Sequence, residues 1–178
     1  NSSGNPANYT TIFSQAFGNF TWNCTGQTSF LSLGGKLTTI NGNFTVLSTG
    51  TGSFSFGNTG IGNINIAGNY IQSGGYVYCS GYNAANTGAS HTINIAGDFS
   101  LTGGTFNLSS SSTAANTVTV NIGGNFTHTA GTVTETGSTT GSNITFTAGT
   151  HTYTSGGTVS NTVNYIVGAG ATLNMASA

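Results

Sequence analysis

One phrase recurs along this chain with substitutions that keep its chemistry. The segment INIAGNY at 64–70 returns as INIAGDF at 93–99 and as VNIGGNF at 120–126, and fainter copies end in GNF at 18–20 and 42–44. The steps between the glycines of successive copies are 24, 26, 29 and 27 residues, and a degraded copy around Gly149 adds a step of 25. Self-similarity at this period is typical of solenoids, in which each repeat forms one coil.

Within each copy the apolar residues alternate with polar ones. Counted from the repeat glycine, offset −2 carries isoleucine and offset +2 carries an aromatic residue, whereas odd offsets are mostly Asn, Thr or Ser. Alternation with a period of two indicates a β-strand with one buried face. A further strand follows each second glycine cluster, and glycine tolerates the positive φ angles that we expect at corners. The sequence therefore predicts an all-β parallel β-solenoid of about six coils, with 24–29 residues and three short strands per coil.

Stacked coils place equivalent residues in columns about 4.8 Å apart. Offset +2 then forms an aromatic column inside the rod, and offset −2 forms an isoleucine column. Offset +1 is predicted to form a structural side-chain ladder at the corner, made of Asn19, Asn43, Asn69, Asp98 and Asn125. Asn65, Asn94 and Asn121 are predicted to form a second amide ladder. A β-sandwich also has alternating strands, but it does not repeat one motif at one corner.

The two ends of the chain depart from the repeat. Residues 1–17 include the single proline, and they are predicted to be an N-terminal cap or the edge of a preceding domain. Residues 18–178 are predicted to form the solenoid domain. The last segment resembles a partial coil without a polar cap, which predicts that the solenoid continues beyond the C-terminus. The start at Asn1 rather than Met predicts a processed or partial product of a longer protein.

Composition excludes several classes of function. The fully charged residues are Lys36, Asp98 and Glu135 alone, so the chain lacks the clustered Lys and Arg that bind nucleic acid. No apolar run is long enough for a membrane span, and no retained signal peptide is visible. A surface made of hydroxyls and amides is more typical of an extracellular protein than of a cytosolic one. The sequence therefore predicts an extracellular, cell-surface location, no nucleic-acid partner and no membrane span.

The inventory of reactive side chains is short, and it predicts no catalytic residue, no metal site and no cofactor. Asp98 occupies a position where other copies carry Asn, so we assign it a structural role. Glu135 is interpreted as the first residue of a loop, with a protonated acid in a partly buried column as the alternative. The two acids lie on different faces and make no glycosidase pair. The three histidines share no column, and Cys24 and Cys79 are not aligned for a disulfide.

Threonine rows provide the sharpest candidate binding face. The spacing aligns Thr127 and Thr129 with Thr152 and Thr154 in the next coil. Flat threonine arrays are used by ice-binding solenoids, but Ile71 and Ser100 interrupt the same column in the middle of the rod. Solvated β-forming residues on an outer face are the simpler interpretation of these threonines.

The pattern Gly-Asn-Phe-Thr, followed by a glycine corner and Thr-Val or Thr-Phe, resembles the repeats of very large secreted surface adhesins of Bacteroidota, over about Gly18 to Val159. These include adhesins used in gliding motility and exported by type IX secretion. The resemblance implies a non-enzymatic extracellular structural or adhesion segment that presents polar Thr, Ser, Asn and Tyr faces to surface glycans or to neighbouring copies. The alternatives are a stand-alone binding module for ice or polysaccharide and, less favoured, a carbohydrate-active β-helix enzyme.

Overall fold

The computed structural model describes residues 9–57, 62–82, 90–110, 116–137 and 141–178. One short helix, α1 (Tyr9–Phe13), precedes the strands. In chain order the strands are β1 (Phe20–Asn23), β2 (Phe30–Ser32), β3 (Thr39–Ile40), β4 (Phe44–Ser48), β5 (Ser53–Gly57), β6 (Ile64–Ile66), β7 (Tyr70–Gln72), β8 (Tyr76–Tyr82), β9 (Ser90–Ile95), β10 (Phe99–Ser110), β11 (Thr117–Ile122), β12 (Phe126–Thr134), β13 (Asn143–Phe146), β14 (Gly149–Ser155), β15 (Thr158–Ser160), β16 (Asn164–Val167) and β17 (Ala171–Ser177).

The strands form a parallel β-solenoid with three faces, which confirms the predicted fold class. The first face runs β1-β4-β7-β10-β12-β14-β17, and the third face runs β3-β6-β9-β11-β13-β16. The second face contains β2, β5 and β8, continues through the later residues of β10 and β12, and ends at β15. Within the described residues the chain passes the first face seven times, which agrees with about six coils.

The strand count per coil differs from the prediction in the middle of the rod. There β10 and β12 each cover both the first and the second face as one strand with a bend. Gly104 and Gly131 stand at these bends with φ angles of 78°. The corner predicted to separate two strands is therefore a shift in register inside one strand, because the glycine turns the chain without ending the ladder.

The core consists of the predicted columns. In the aromatic column each ring contacts the ring of the coil before it, at centroid distances of 4.7 to 5.6 Å, through Phe20, Phe44, Tyr70, Phe99, Phe126 and Tyr153. The isoleucine column pairs Ile40, Ile66, Ile95 and Ile122 in register, and each is at most 2 % exposed. Side chains that alternate inward in sequence thus meet in space because the coils stack in register.

The sixth copy lies two residues later than predicted. The prediction placed its corner at Gly149, but Tyr153 pairs with Phe126, so His151 takes the place of the corner glycine. The step from Gly124 is therefore 27 residues rather than 25. Burial of an aromatic ring in the column determines this register, since Tyr153 stacks on Phe126 at 4.7 Å.

The N-terminal end of the rod is covered in part by α1. Residues 1–8 of the predicted cap lie outside the described residues. In the rest of it, Phe13 is 8 % exposed and contacts the rings of Phe20 and Trp22 at 6.0 and 6.5 Å. Phe17 forms a parallel bridge with Ile40 of the first coil. The helix therefore shields the first aromatic rings from water.

Candidate functional site

The predicted corner ladder links the side chain of each coil to the backbone of the next. The Oδ1 atom of Asn19 accepts the backbone N–H of Asn43 at 2.8 Å, and the same bond repeats up the rod at 2.7 to 2.9 Å through Asn43, Asn69, Asp98, Asn125 and finally the N–H of Thr152. Asp98 accepts through one carboxylate oxygen where the other coils use an amide oxygen. These side chains are thus engaged in holding coils together, and Asp98 has the same structural contact as its neighbours.

The corner glycines are required for space and not for their φ angle. The expectation that these corners need positive φ is wrong for Gly42, Gly68, Gly97 and Gly124, because none of them has a positive φ. A Cβ atom on Gly97 would instead collide with Oδ1 of Asn69, and the other three glycines meet the ladder side chain below them in the same way. The Gly-Asn pair is therefore one device, in which the glycine leaves room for the asparagine of the preceding coil.

The threonine face is not the array that the spacing predicted. Thr127 pairs with Thr154, and the N–H of Thr152 bonds to Asn125, so Thr152 belongs to the corner ladder. Thr129 stands opposite Gly156, whose added Cβ would approach its backbone. The predicted alignment of Thr127 and Thr129 with Thr152 and Thr154 is thus wrong by two residues, because the sixth corner is at His151. What remains is one threonine column, interrupted where Ile71 and Ser100 lie.

The third face carries a groove that the sequence analysis missed. Its wall is the predicted amide ladder, in which Nδ2 of Asn94 donates to Asn65 and Nδ2 of Asn121 donates to Asn94, both at 2.8 Å. Small residues form its floor, one per coil, and these are Ala67, Ala96 and Gly123. The groove has a volume of about 440 Å³. A small residue recurring just before the repeat glycine was the signal available in the sequence.

The ends and the charge of this groove follow from the same rows. Asn41 precedes the alanines in the floor row and Thr147 follows them, so polar side chains line both ends. No Lys, Arg, Asp or Glu is among the residues that line it. Amides satisfied along the ladder keep a second N–H and a second lone pair on each group. The groove is therefore a neutral surface that offers donors and acceptors at a spacing of about 4.8 Å.

No protein-family model, no curated protein and no solved structure matches this chain. The groove and the ladders therefore have to be interpreted from their own geometry. Among the described residues, no helix is long and apolar enough to cross a membrane.

The second face is more enclosed than expected. Tyr76 and Tyr78 were predicted to face outward for binding, yet Tyr78 is only 9 % exposed and Tyr76 is half-buried, while the side chain of Tyr82 lies outside the described residues. Asn107 donates to the hydroxyl of Tyr76 at 3.2 Å and to Thr136 at 2.8 Å. The segment after β12 thus packs over this face, so its outer column is mostly buried.

Glu135 lies directly after β12, in the loop position that was predicted, but its side chain is 4 % exposed. The hydroxyl of Ser142 donates a hydrogen bond to its carboxylate, and Ser142 also accepts the N–H of Val118. This buried network joins β11 to the loop before β13. It holds the loop and leaves no route for a substrate to the acid.

Each histidine occupies a separate buried position. Nδ1 of His91 accepts the N–H of Gly62 at 2.8 Å, and His128 stacks on Phe126 with its Nε2 at 3.3 Å from the carbonyl of Gly131. Both ring nitrogens of His151 approach backbone carbonyls. In the described residues no three His, Cys, Asp or Glu side chains come together as metal ligands. Cys24 is exposed, Cys79 is buried, and both are free thiols.

These histidines make stability depend on pH. Burial lowers the pKa of His91 and, against a weaker opposing effect of the Gly131 carbonyl, the pKa of His128 below the ordinary value of 6.5. The unfolded chain therefore binds protons on these rings at a pH where the folded chain does not. Their contribution is complete above pH 6.5 and is lost as the pH falls through the lowered folded values.

We expect the free energy of unfolding, measured by urea denaturation, to fall from about pH 8 to about pH 5. A His128→Gln variant should show a shallower fall, because it retains an amide but cannot take up a proton in this range. An equal slope in the two proteins would contradict the assignment to His128.

Proposed function

We propose that this chain is a non-enzymatic, extracellular structural and adhesion segment of a large bacterial surface protein, as in the Bacteroidota adhesins that its repeats resemble. The observation that carries the proposal is the uninterrupted ladder of the first and third faces, which links every coil to the next in register. Backbone bonds, the corner ladder and the amide ladder all run along the rod. Such a rod resists stretching through many parallel bonds and displays its outer columns at a fixed spacing.

The positions of the reactive side chains support a non-enzymatic role. Asp98 is engaged in the corner ladder, and Glu135 is buried and bonded to Ser142. General acid–base catalysis needs a side chain within reach of the substrate. Neither acid meets that condition, so the outer faces are the surfaces left for binding.

The groove of the third face is the surface best suited to adhesion. It runs along the rod across the coils that carry Ala67, Ala96 and Gly123, and an extended polymer fits its direction. Its neutral amides match the hydroxyls of an uncharged polysaccharide, whereas an anionic polymer would find no cation there. We therefore propose neutral surface glycans as the partners, bound by hydrogen bonds to Asn65, Asn94 and Asn121.

Electrophoresis of the native chain through gels that contain dextran, mannan or soluble starch tests this proposal. We expect one of these neutral polysaccharides to retard the wild-type chain, and Ala96→Gln to weaken the binding roughly tenfold or more because the side chain fills the floor of the groove. Thr102→Gln is the matched control, since Thr102 is exposed on the first face of the same coil. It should bind as the wild type does. Absence of retardation in all three gels, or equal weakening by both substitutions, would overturn the assignment of the groove.

A further inference from the structure

The two ends of the rod differ in how their apolar columns are covered. At the N-terminal end Phe13 of α1 lies on Phe20 and Trp22. At the other end the final members of three columns are exposed, although they pair with residues that are buried. Val159 is 43 % exposed and pairs with Val133, Val167 is 49 % exposed and pairs with Phe146, and Met175 is 65 % exposed and pairs with Tyr153. These side chains are exposed because no further coil lies over them among the described residues.

The same end presents open strand edges. β15, β16 and β17 pair on one side with β12, β13 and β14, and no described strand pairs with their other side. Edges of this kind are usually protected by charged side chains or proline. Residues 141–178 contain no Lys, Arg, Asp, Glu or Pro. An apolar, uncharged surface with unpaired backbone groups is complementary to a second surface of the same kind.

We propose that the C-terminal end binds the C-terminal end of a second copy of this chain, so that two rods join tail to tail about a two-fold axis. The N-terminal end of a second copy is the weaker partner, because α1 already lies over its rings. A two-fold axis through the first face reverses the strand direction, so β17 pairs with the β17 of the second copy in antiparallel orientation. This inference does not depend on the glycan groove.

The side chains of β17 select one register for this pairing. Leu173 and Met175 point inward, since they pair with His151 and Tyr153 of the preceding coil. Pairing centred on Asn174 sets Leu173 opposite the Met175 of the second copy, so that apolar residues meet on one face. A shift by one residue would set inward residues opposite outward ones.

Light scattering coupled to size exclusion tests the association. We expect the 178-residue chain to approach twice its mass of 17.8 kDa as its concentration rises. Met175→Lys should keep the monomer mass, because the charge would be buried between the two ends. Leu47→Lys, at a residue that is 43 % exposed on β4, is the matched control and should still dimerise. A chain that stays monomeric, forms larger open assemblies, or responds equally to both substitutions would overturn the proposal.

Cysteine cross-linking tests the register. In a Cys24→Ser background, Asn174→Cys should form a disulfide-linked dimer under mild oxidation, because residue 174 lies opposite itself across the axis. Thr172→Cys lies opposite Ala176 in that register and should cross-link far less. Circular dichroism of each variant establishes that it folds. A dimer linked more efficiently through residue 172 than through residue 174 would contradict the pairing.

Discussion

Substitution of Gly104 by alanine is expected to destabilise the protein by roughly 2–5 kcal/mol. Gly104 has a φ angle of +78° at the bend inside β10, and an L-residue in that region costs about 1–2 kcal/mol. The added Cβ would also collide with the carbonyl oxygen of Gly75 and lie 2.6 Å from the carbonyl carbon of Gly74. Both are backbone atoms of the coil below, so relief of the collision requires the two coils to move apart and weakens their ladder.

Gly34 separates the two contributions. It has a φ angle of +61°, and nothing lies within 4 Å of an added Cβ. Gly34→Ala should therefore cost only the conformational part, roughly 1–2 kcal/mol. The difference between the two variants in urea denaturation measures the crowding between coils. Equal losses would show that the stacking at Gly104 relaxes freely, which would contradict this account.

Truncation of Phe99 to alanine should cost about 3–5 kcal/mol. Phe99 is fully buried at the centre of the aromatic column, and its ring contacts Tyr70 at 4.8 Å, Phe106 at 4.9 Å and Phe126 at 4.8 Å. These neighbours belong to three different coils, and each is fixed by its own strand. The cavity therefore cannot close without breaking backbone pairing, which places the loss in the upper part of the range for core truncations.

Ser100→Ala provides the control on the adjacent, outward position of the same strand. Ser100 pairs with Ile71 and Thr127 in the outer column, and its truncation should change the free energy of unfolding by no more than about 0.5 kcal/mol. Urea denaturation followed by circular dichroism compares the two variants under identical conditions. A loss at Phe99 no larger than the loss at Ser100 would mean that the column is not the core of this fold.

The interior of the rod was predictable because it depends on local alternation repeated at one period. Ile66, Ile95 and Ile122 stand two residues before the repeat glycine, and that spacing alone places them on one buried face. The aromatic column from Phe20 to Phe126 follows by the same argument. The stacked coils then bring the amide ladder together without further information.

The candidate site was less predictable because it depends on which residues of neighbouring coils meet. His151 lies where a glycine was expected, so the threonine alignment was displaced by two residues even though each threonine lies on a strand. The groove arises because Ala67 and Ala96 line up beside the amide ladder. A single copy of the repeat shows only a small residue at that point.

The sequence by itself determined the parallel solenoid, its inward columns and its near absence of charge, because these follow from residue type and period. Only the tertiary structure decided the register of the sixth coil, the reason for the corner glycines and the burial of Tyr78 and Glu135. Each of these depends on contacts between residues that are a whole coil apart. Their positions are set by the lengths of the intervening loops, and the local pattern does not encode those lengths.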